Sequence, residues 1–291
     1  LICLFLKHKP CEQITGYFFL KRVFMNLKHL FISLGCILST MVCAQNSNIG
    51  YVTYESYNVR LSKTRGPTER ELYFNKEESL EIVRTEKVGY DKNSIDLVKQ
   101  GLFNRGDTDS IGIRIYRNTK SQQLITRRPD NPISDAFVVQ EAWLTIDWKI
   151  FPENTKIIEG LPCTKAVGDF RGRTYIAWFT PEIPYPFGPW KLHGLPGLIL
   201  EARDLEGNLR FELFDHDFPT SVDDKIIEIP TQGEVITHER EVYLLDQFDE
   251  ILIKKLNNRI KPGAKSTFKA KATSKGRNPD AWELVYDWER Q

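Results

Sequence analysis

Among the residues of this 291-residue chain that could do covalent chemistry, Cys163 and His193 come first, because a thiolate beside an imidazole base is an activated nucleophile. Such a pair would make the chain a cysteine-dependent hydrolase or a redox enzyme. It needs an accessible, electropositive thiol. Cys163 instead stands between Leu161 and Ala166 in a stretch that reads as a strand, where a lone cysteine usually acts as a small buried hydrophobe. No third group to orient the base can be named, so catalysis is the secondary reading. Metal chemistry is incomplete too. His238-Glu239 lacks the second histidine of a zinc-protease helix, and Asp215, His216 and Asp217 are adjacent, so in a strand they alternate between faces and cannot converge on one ion. The run Gly194-Leu195-Pro196-Gly197 lacks the Gly-Lys-Ser/Thr of a phosphate loop. The expectation is a protein with no catalytic residues, metal or cofactor.

Binding chemistry is better represented. Residues 181–197 carry Pro184, Pro186, Gly188, Pro189, Gly194 and Pro196, which fix backbone angles or remove donors, so the stretch is a stiff loop and no regular strand. Tyr185, Phe187, Trp190 and His193 on such a loop can form a binding lip, since aromatic anchors supply contact area at little entropic cost. The alternative is that the loop folds back to plug one end of a sheet, with Trp190 in the core. Arg171 and Arg173 flank Gly172 at a hairpin tip, and Glu182 lies just beyond the paired strand. A bidentate contact from one arginine to Glu182 would pin loop to hairpin, and an anion site is the alternative. The candidate binding residues are therefore Arg171, Arg173, Glu182, Tyr185, Phe187, Trp190 and His193.

The elements that must position these residues read as strands. Short β-branched and aromatic runs recur at residues 49–61, 72–75, 80–88, 111–115, 137–140, 143–150, 161–168, 173–180, 198–203 and 208–215, separated by polar or glycine-containing turns. Asp169-Phe170-Arg171-Gly172 and Asp204-Leu205-Glu206-Gly207 are hairpin signals. No alternation of strand and helix appears, so a parallel sheet is not expected. Over residues 238–258, Val242, Leu245, Phe248, Leu252 and Leu256 recur every three or four positions, which predicts one long C-terminal helix capped by Thr237. The predicted fold class is mostly β with that helix, built as an antiparallel sheet in an open half-barrel, like that of periplasmic lipoprotein carriers, or as a sandwich.

Composition places the chain outside the cytoplasm. Reading from Met25, Lys28 and His29 form a basic start, residues 30–38 an apolar run and Val42-Cys43-Ala44 a small-residue cleavage site before Gln45, which together predict a secretion signal over residues 25–44. Residues 1–24 are then an upstream extension or a long n-region. A lipid-modified Cys36 or Cys43 fits less well, because Val42 precedes one and more apolar chain follows the other. Removing residues 1–44 takes five basic residues and one acid from totals of 40 and 39, leaving 35 against 38 and Cys163 as the sole thiol. No internal disulfide is then expected. Residues 45–262 read as a single β-rich domain and residues 263–291 as a basic tail with a final strand. From residue 251 to 279 there are nine Lys/Arg and no acid, after which Trp282, Val285 and Trp288 return. The tail is a solvated face or a contact for an anionic surface. Export argues against nucleic acid as a partner.

Residues 148–204 carry a resemblance. They read Trp148-Lys149-Ile150, Cys163-Thr164-Lys165-Ala166, Phe170-Arg171-Gly172-Arg173-Thr174-Tyr175-Ile176-Ala177-Trp178-Phe179-Thr180, Gly188-Pro189-Trp190-Lys191 and Gly194-Leu195-Pro196-Gly197-Leu198-Ile199-Leu200-Glu201. This pattern resembles the GLPGLI family of bacterial envelope proteins, also called Porph_ging. The resemblance implies an exported protein of Gram-negative bacteria whose biochemical role is unassigned, and it supplies no catalytic residues. The expected function is a non-enzymatic binding or accessory module for an envelope protein, peptide or lipid, with a structural envelope component as a third reading.

Overall fold

The structure, a computed structural model, describes residues 49–58, 67–84, 110–131, 133–259 and 282–286. The predicted signal, the extension before it and most of the basic tail lie outside the described residues. Contacts divide the chain into Leu1–Asn46 and Ser47–Gln291, and every described residue belongs to the second unit.

Among the described residues, twelve strands form one open sheet. In chain order they are β1 (Gly50–Asn58), β2 (Thr68–Phe74), β3 (Glu78–Val83), β4 (Ile113–Asn118), β5 (Gln123–Arg128), β6 (Phe137–Glu141), β7 (Lys149–Ile158), β8 (Leu161–Phe170), β9 (Arg173–Thr180), β10 (Leu198–Asp204), β11 (Leu209–Asp217) and β12 (Glu234–Ile236). Their spatial order is β12-β6-β5-β4-β3-β2-β1-β11-β10-β9-β8-β7. Neighbours are antiparallel except β12, which runs parallel to β6 at one edge. Local chemistry sets the hairpins. Phe170 pairs with Arg173 across Arg171 (φ 53°) and Gly172 (φ 82°), a two-residue turn with both residues left-handed, which matches the twist of the flanking strands. Glu159 and Gly160 close β7 onto β8 in the same way.

The sheet curls around one face. Ile115 of β4 and Leu124 of β5 share a core cluster with Ala166, Tyr175, Ala177, Ala202 and Phe211 of β8 to β11, although these strands lie far apart in the sheet order. Strand alternation puts Arg70, Glu81, Arg117 and Glu141 on that same inner face, all buried. On the outer face of β2 to β6, Tyr73, Leu80, Ile82, Tyr116, Ile125 and Val138 are covered by Ile227 and its neighbours.

Two expectations need correction. The single long helix over residues 238–258 is instead two short helices, α1 (His238–Asp246) and α2 (Phe248–Arg259), with Gln247 between them. Thr237 caps α1 by accepting the amide of Arg240. The α1 helix buries His238, Glu241, Val242 and Leu244, while Leu245, a member of the expected straight stripe, is exposed. Phe248, Ile251 and Leu252 of α2 pack on Ile133, Phe137, Val139 and Leu244. The break lets both helices keep an apolar side on the short β6 wall, which a straight rod would leave. The strands, for their part, form one open sheet with a parallel edge strand in place of the predicted antiparallel half-barrel or sandwich. One strand was also misplaced: the stretch from Trp143 is irregular, and β7 begins only at Lys149.

Candidate functional site

The loop of residues 181–197 lies on the inner face, and its irregular backbone is satisfied by side chains of the sheet. Glu81 Oε2 accepts the amide of Trp190 at 2.5 Å, Arg117 Nη1 donates to the carbonyl of Leu192 at 2.9 Å, and Trp148 Nε1 donates to that of His193 at 2.8 Å. Phe187 accepts from Ile199 and Ile183 from Leu198, both at 2.9 Å. A buried loop cannot leave its polar groups to water, so each of these partners is a condition for the loop to sit there. Trp190 takes a left-handed conformation (φ 57°), and Gly197 approaches so closely that a Cβ would fall 2.1 Å from the carbonyl oxygen of Thr180.

A second irregular segment, residues 282–286, rests against this loop. The Trp282 ring lies 5.7 Å from Trp190 and 5.5 Å from Phe211, with the Arg70 guanidinium 4.7 Å away over its face. Glu283 enters a buried ionic cluster. Lys191 Nζ donates to Glu283 Oε1 and to Glu141 Oε2, each at 2.5 Å, and Arg171 bridges the same two carboxylates at 3.1 and 3.2 Å. His238 Nε2 stands 3.7 Å from both, and Tyr286 packs edge-on against the His238 ring. Thr126 donates to the other oxygen of Glu141, and Arg128 pairs with Glu241 at 2.7 Å. The amides of Leu284 and Val285 both donate to the carbonyl of Arg171.

The electrostatics follow from this pairing. Arg171 and Lys191 face Glu141 and Glu283, and the half-buried Arg128 faces Glu241. Burial works against the charged form of Lys191, but Glu141 and then Glu283 raise it above the ordinary lysine range. Burial likewise opposes the Glu283 carboxylate, yet Lys191, a hydrogen bond with His238 and Arg171 hold it well below the ordinary carboxylate range. Glu141, His238 and Glu283 present ligand atoms within 4.8 Å of one another, but the Lys191 ammonium already bonds both carboxylates and is the cation of this cluster. Another buried cation, Arg117, is lowered by burial to about 10 and is held by Ser79 and the loop carbonyl.

The predicted binding residues are distributed as follows. Phe187, Trp190 and His193 are buried, Tyr185 is half-buried, and Glu182 lies on an exposed turn. Arg171 takes Glu141 and Glu283, and Arg173 takes Asp204 at 2.8 Å with Glu206 at 3.8 Å. The His193 ring lies tilted against Trp143 at 4.2 Å between centroids, and its imidazole is lowered to about 4 by burial. Cys163 is packed with Val52, Leu198 and Leu200 in a different core cluster from that around Trp190, and burial pushes its thiol up to about 11. Sequence reasoning missed Arg70, Glu141, Lys191, His238 and Glu283. Their one local signal is a charge set inside an aromatic or apolar run, as in Trp190-Lys191-Leu192 and Trp282-Glu283-Leu284.

Comparison with known proteins falls on this region. A family described as a protein of unknown function (Porph_ging) matches residues 170–201, from the end of β8 through the loop into β10, so the resemblance read from the residues holds on that segment. No curated protein matches the chain. Two solved structures of PNGF-II align at 14% identity with TM-scores of 0.46 and 0.44, covering 68% and 71% of this chain and 33% of theirs. The chain thus spans about a third of their length. MucB in complex with MucA(peri) aligns at 10% identity with a TM-score of 0.32, covering 69% of this chain and 61% of that one.

Proposed function

We propose that this chain is an exported, non-enzymatic binding module of the cell envelope whose inner face holds an extended segment of a protein partner. The observation that carries this reading is the seating of residues 282–286. They take no helix or strand, yet Glu283 and Tyr286 are buried in a slot of cations and aromatic rings contributed by β2, α1, the 171–172 turn and the loop. Side-chain slots that grip an irregular segment are how binding proteins recognise peptides. Support against the hydrolase reading comes from the thiol of Cys163, which is buried and raised where a nucleophile would be exposed and lowered. Export rests on residues 25–44 and their expected cut before Gln45.

Native mass spectrometry of the protein isolated from its own envelope fraction tests the reading. A partner peptide or protein should be retained, more so on the full-length Trp282→Ala, Glu283→Gln chain, and N-terminal sequencing should begin within a few residues of Gln45. Bare chain in every preparation would remove the binding module, and an uncut chain in the cytoplasm would remove export.

A further inference from the structure

We infer that the inner-face slot reads a two-residue pattern, an aromatic side chain followed by a carboxylate, and that residues 282–286 are its internal occupant, displaced when a partner segment of that pattern binds. This deepens the binding-module reading and rests on it. Trp282 and Glu283 enter neighbouring compartments of different chemistry: Arg70, Trp190 and Phe211 for the ring, and Lys191, Arg171 and His238 for the acid.

The walls do not depend on the occupant. Arg70 is fixed by Ser56 and Glu81, Lys191 and Arg171 both keep Glu141, and the Trp190 amide keeps Glu81. Emptied of Glu283, the acid compartment leaves the Lys191 ammonium with Glu141 alone of the two carboxylates it now bonds, so the group that refills the place is an anion. The ring compartment beside it excludes a bare anion as the full ligand, since Trp282 fills an aromatic and cationic slot that phosphate or acetate would leave open. The backbone between the compartments is fitted to a passing chain as well. Gly172, at φ 82°, has no room for a side chain, because a Cβ would lie 2.8 Å from Val285 Cγ2 and 3.0 Å from its amide nitrogen.

The hold is also of a kind that can let go. The amides of Leu284 and Val285 both donate to the carbonyl of Arg171, and residues 282–286 belong to no strand of the sheet. A peptide of a protein partner, presenting an aromatic residue followed by Asp or Glu, is the occupant this chemistry selects.

The test uses a fluorescent peptide with the sequence of residues 279–289, titrated by anisotropy into the full-length chain and into full-length Trp282→Ala, Glu283→Gln. The peptide should bind the double variant at least about tenfold more tightly than the wild type, and lose about tenfold or more when it carries either Glu283→Gln or Trp282→Ala itself. No binding to a double variant that keeps a cooperative unfolding transition overturns the inference. So does equal binding of the Gln peptide, or binding of anionic phosphatidylglycerol vesicles in place of peptide. If the double variant does not fold, the wild type decides: excess unlabelled peptide should move the indole NMR signal of Trp282, and an unmoved signal at millimolar peptide refutes displacement. An envelope peptide retained by the variant but lacking the aromatic–acidic pair would refute the pattern while leaving the binding module intact.

Discussion

The loop of residues 181–197 and the segment of residues 282–286 lie against the same inner face, both without regular structure, and are held there in opposite ways. The loop is gripped by its backbone: Glu81, Arg117 and Trp148 each reach from the sheet or its flank to one of its amides or carbonyls. The segment is gripped chiefly by its side chains, Trp282 in a ring slot and Glu283 among cations, with its Leu284 and Val285 amides sharing the single carbonyl of Arg171. A buried backbone with dedicated partners cannot leave without stranding those partners in a dry interior, whereas a segment held by side chains can leave and let water reach the charges it exposes. The loop is therefore part of the fold, and the segment is a resident of it.

Substitutions at the two carboxylates of the ionic cluster sharpen this contrast most. Glu141 belongs to β6 and cannot move away, so Glu141→Gln leaves Lys191 and Arg171 underpaired in the core and should cost about 3–5 kcal/mol in urea unfolding. Glu283→Gln should cost clearly less, about 1–2 kcal/mol, because its loss is capped by the free energy of docking the segment, beyond which water enters and hydrates the cations. Equal losses at the two positions would erase the distinction. Trp190→Ala, in the loop, should fall near the larger value, about 3–5 kcal/mol, as for other buried aromatics.

Acid acts in a definite order. The imidazole of His193 is lowered to about 4 from 6.5, so the unfolded chain takes up that proton first, and its stabilisation is present above pH 6.5 and lost as pH falls toward 4. Glu283 is lowered as well, so its contribution is present above the unfolded carboxylate value of 4.5 and is lost only below it. Thermal unfolding across pH should therefore show an upper phase that His193→Gln abolishes and a lower one that it leaves. Smallest of all, Cys163→Ala should cost about 1 kcal/mol and leave peptide binding unchanged, since the thiol is a buried filler in another cluster. Rapid labelling of the native thiol would contradict that assignment.

The parts of this arrangement that sequence reveals are those with a local cause. Runs of β-branched and aromatic residues announced β4, β8 and β9, and Asp169-Phe170-Arg171-Gly172 marked the tight turn between the last two. The strand β7 was hidden because it is an edge: with Pro152, several charged residues and mostly exposed positions, it has no apolar period to read. The helical stripe was visible but its break at Gln247 was not, since both halves keep the same spacing and only the short β6 wall makes them turn. The ionic cluster could not be read at all. Glu141, Lys191, His238 and Glu283 are scattered along half the chain, and only the curl of the sheet brings them together.

Native-state hydrogen exchange tests the contrast between resident and fold most directly, by following the amides of Leu284 and Val285 beside those of Leu198 and Ile199 in the intact chain. The segment should exchange at least about tenfold faster, through a local opening whose rate barely changes with low denaturant, while the loop-bound amides exchange only through global unfolding. If all four exchange at one rate with the same steep dependence on denaturant, residues 282–286 are as much a part of the fold as the loop, and the account of a releasable occupant is wrong.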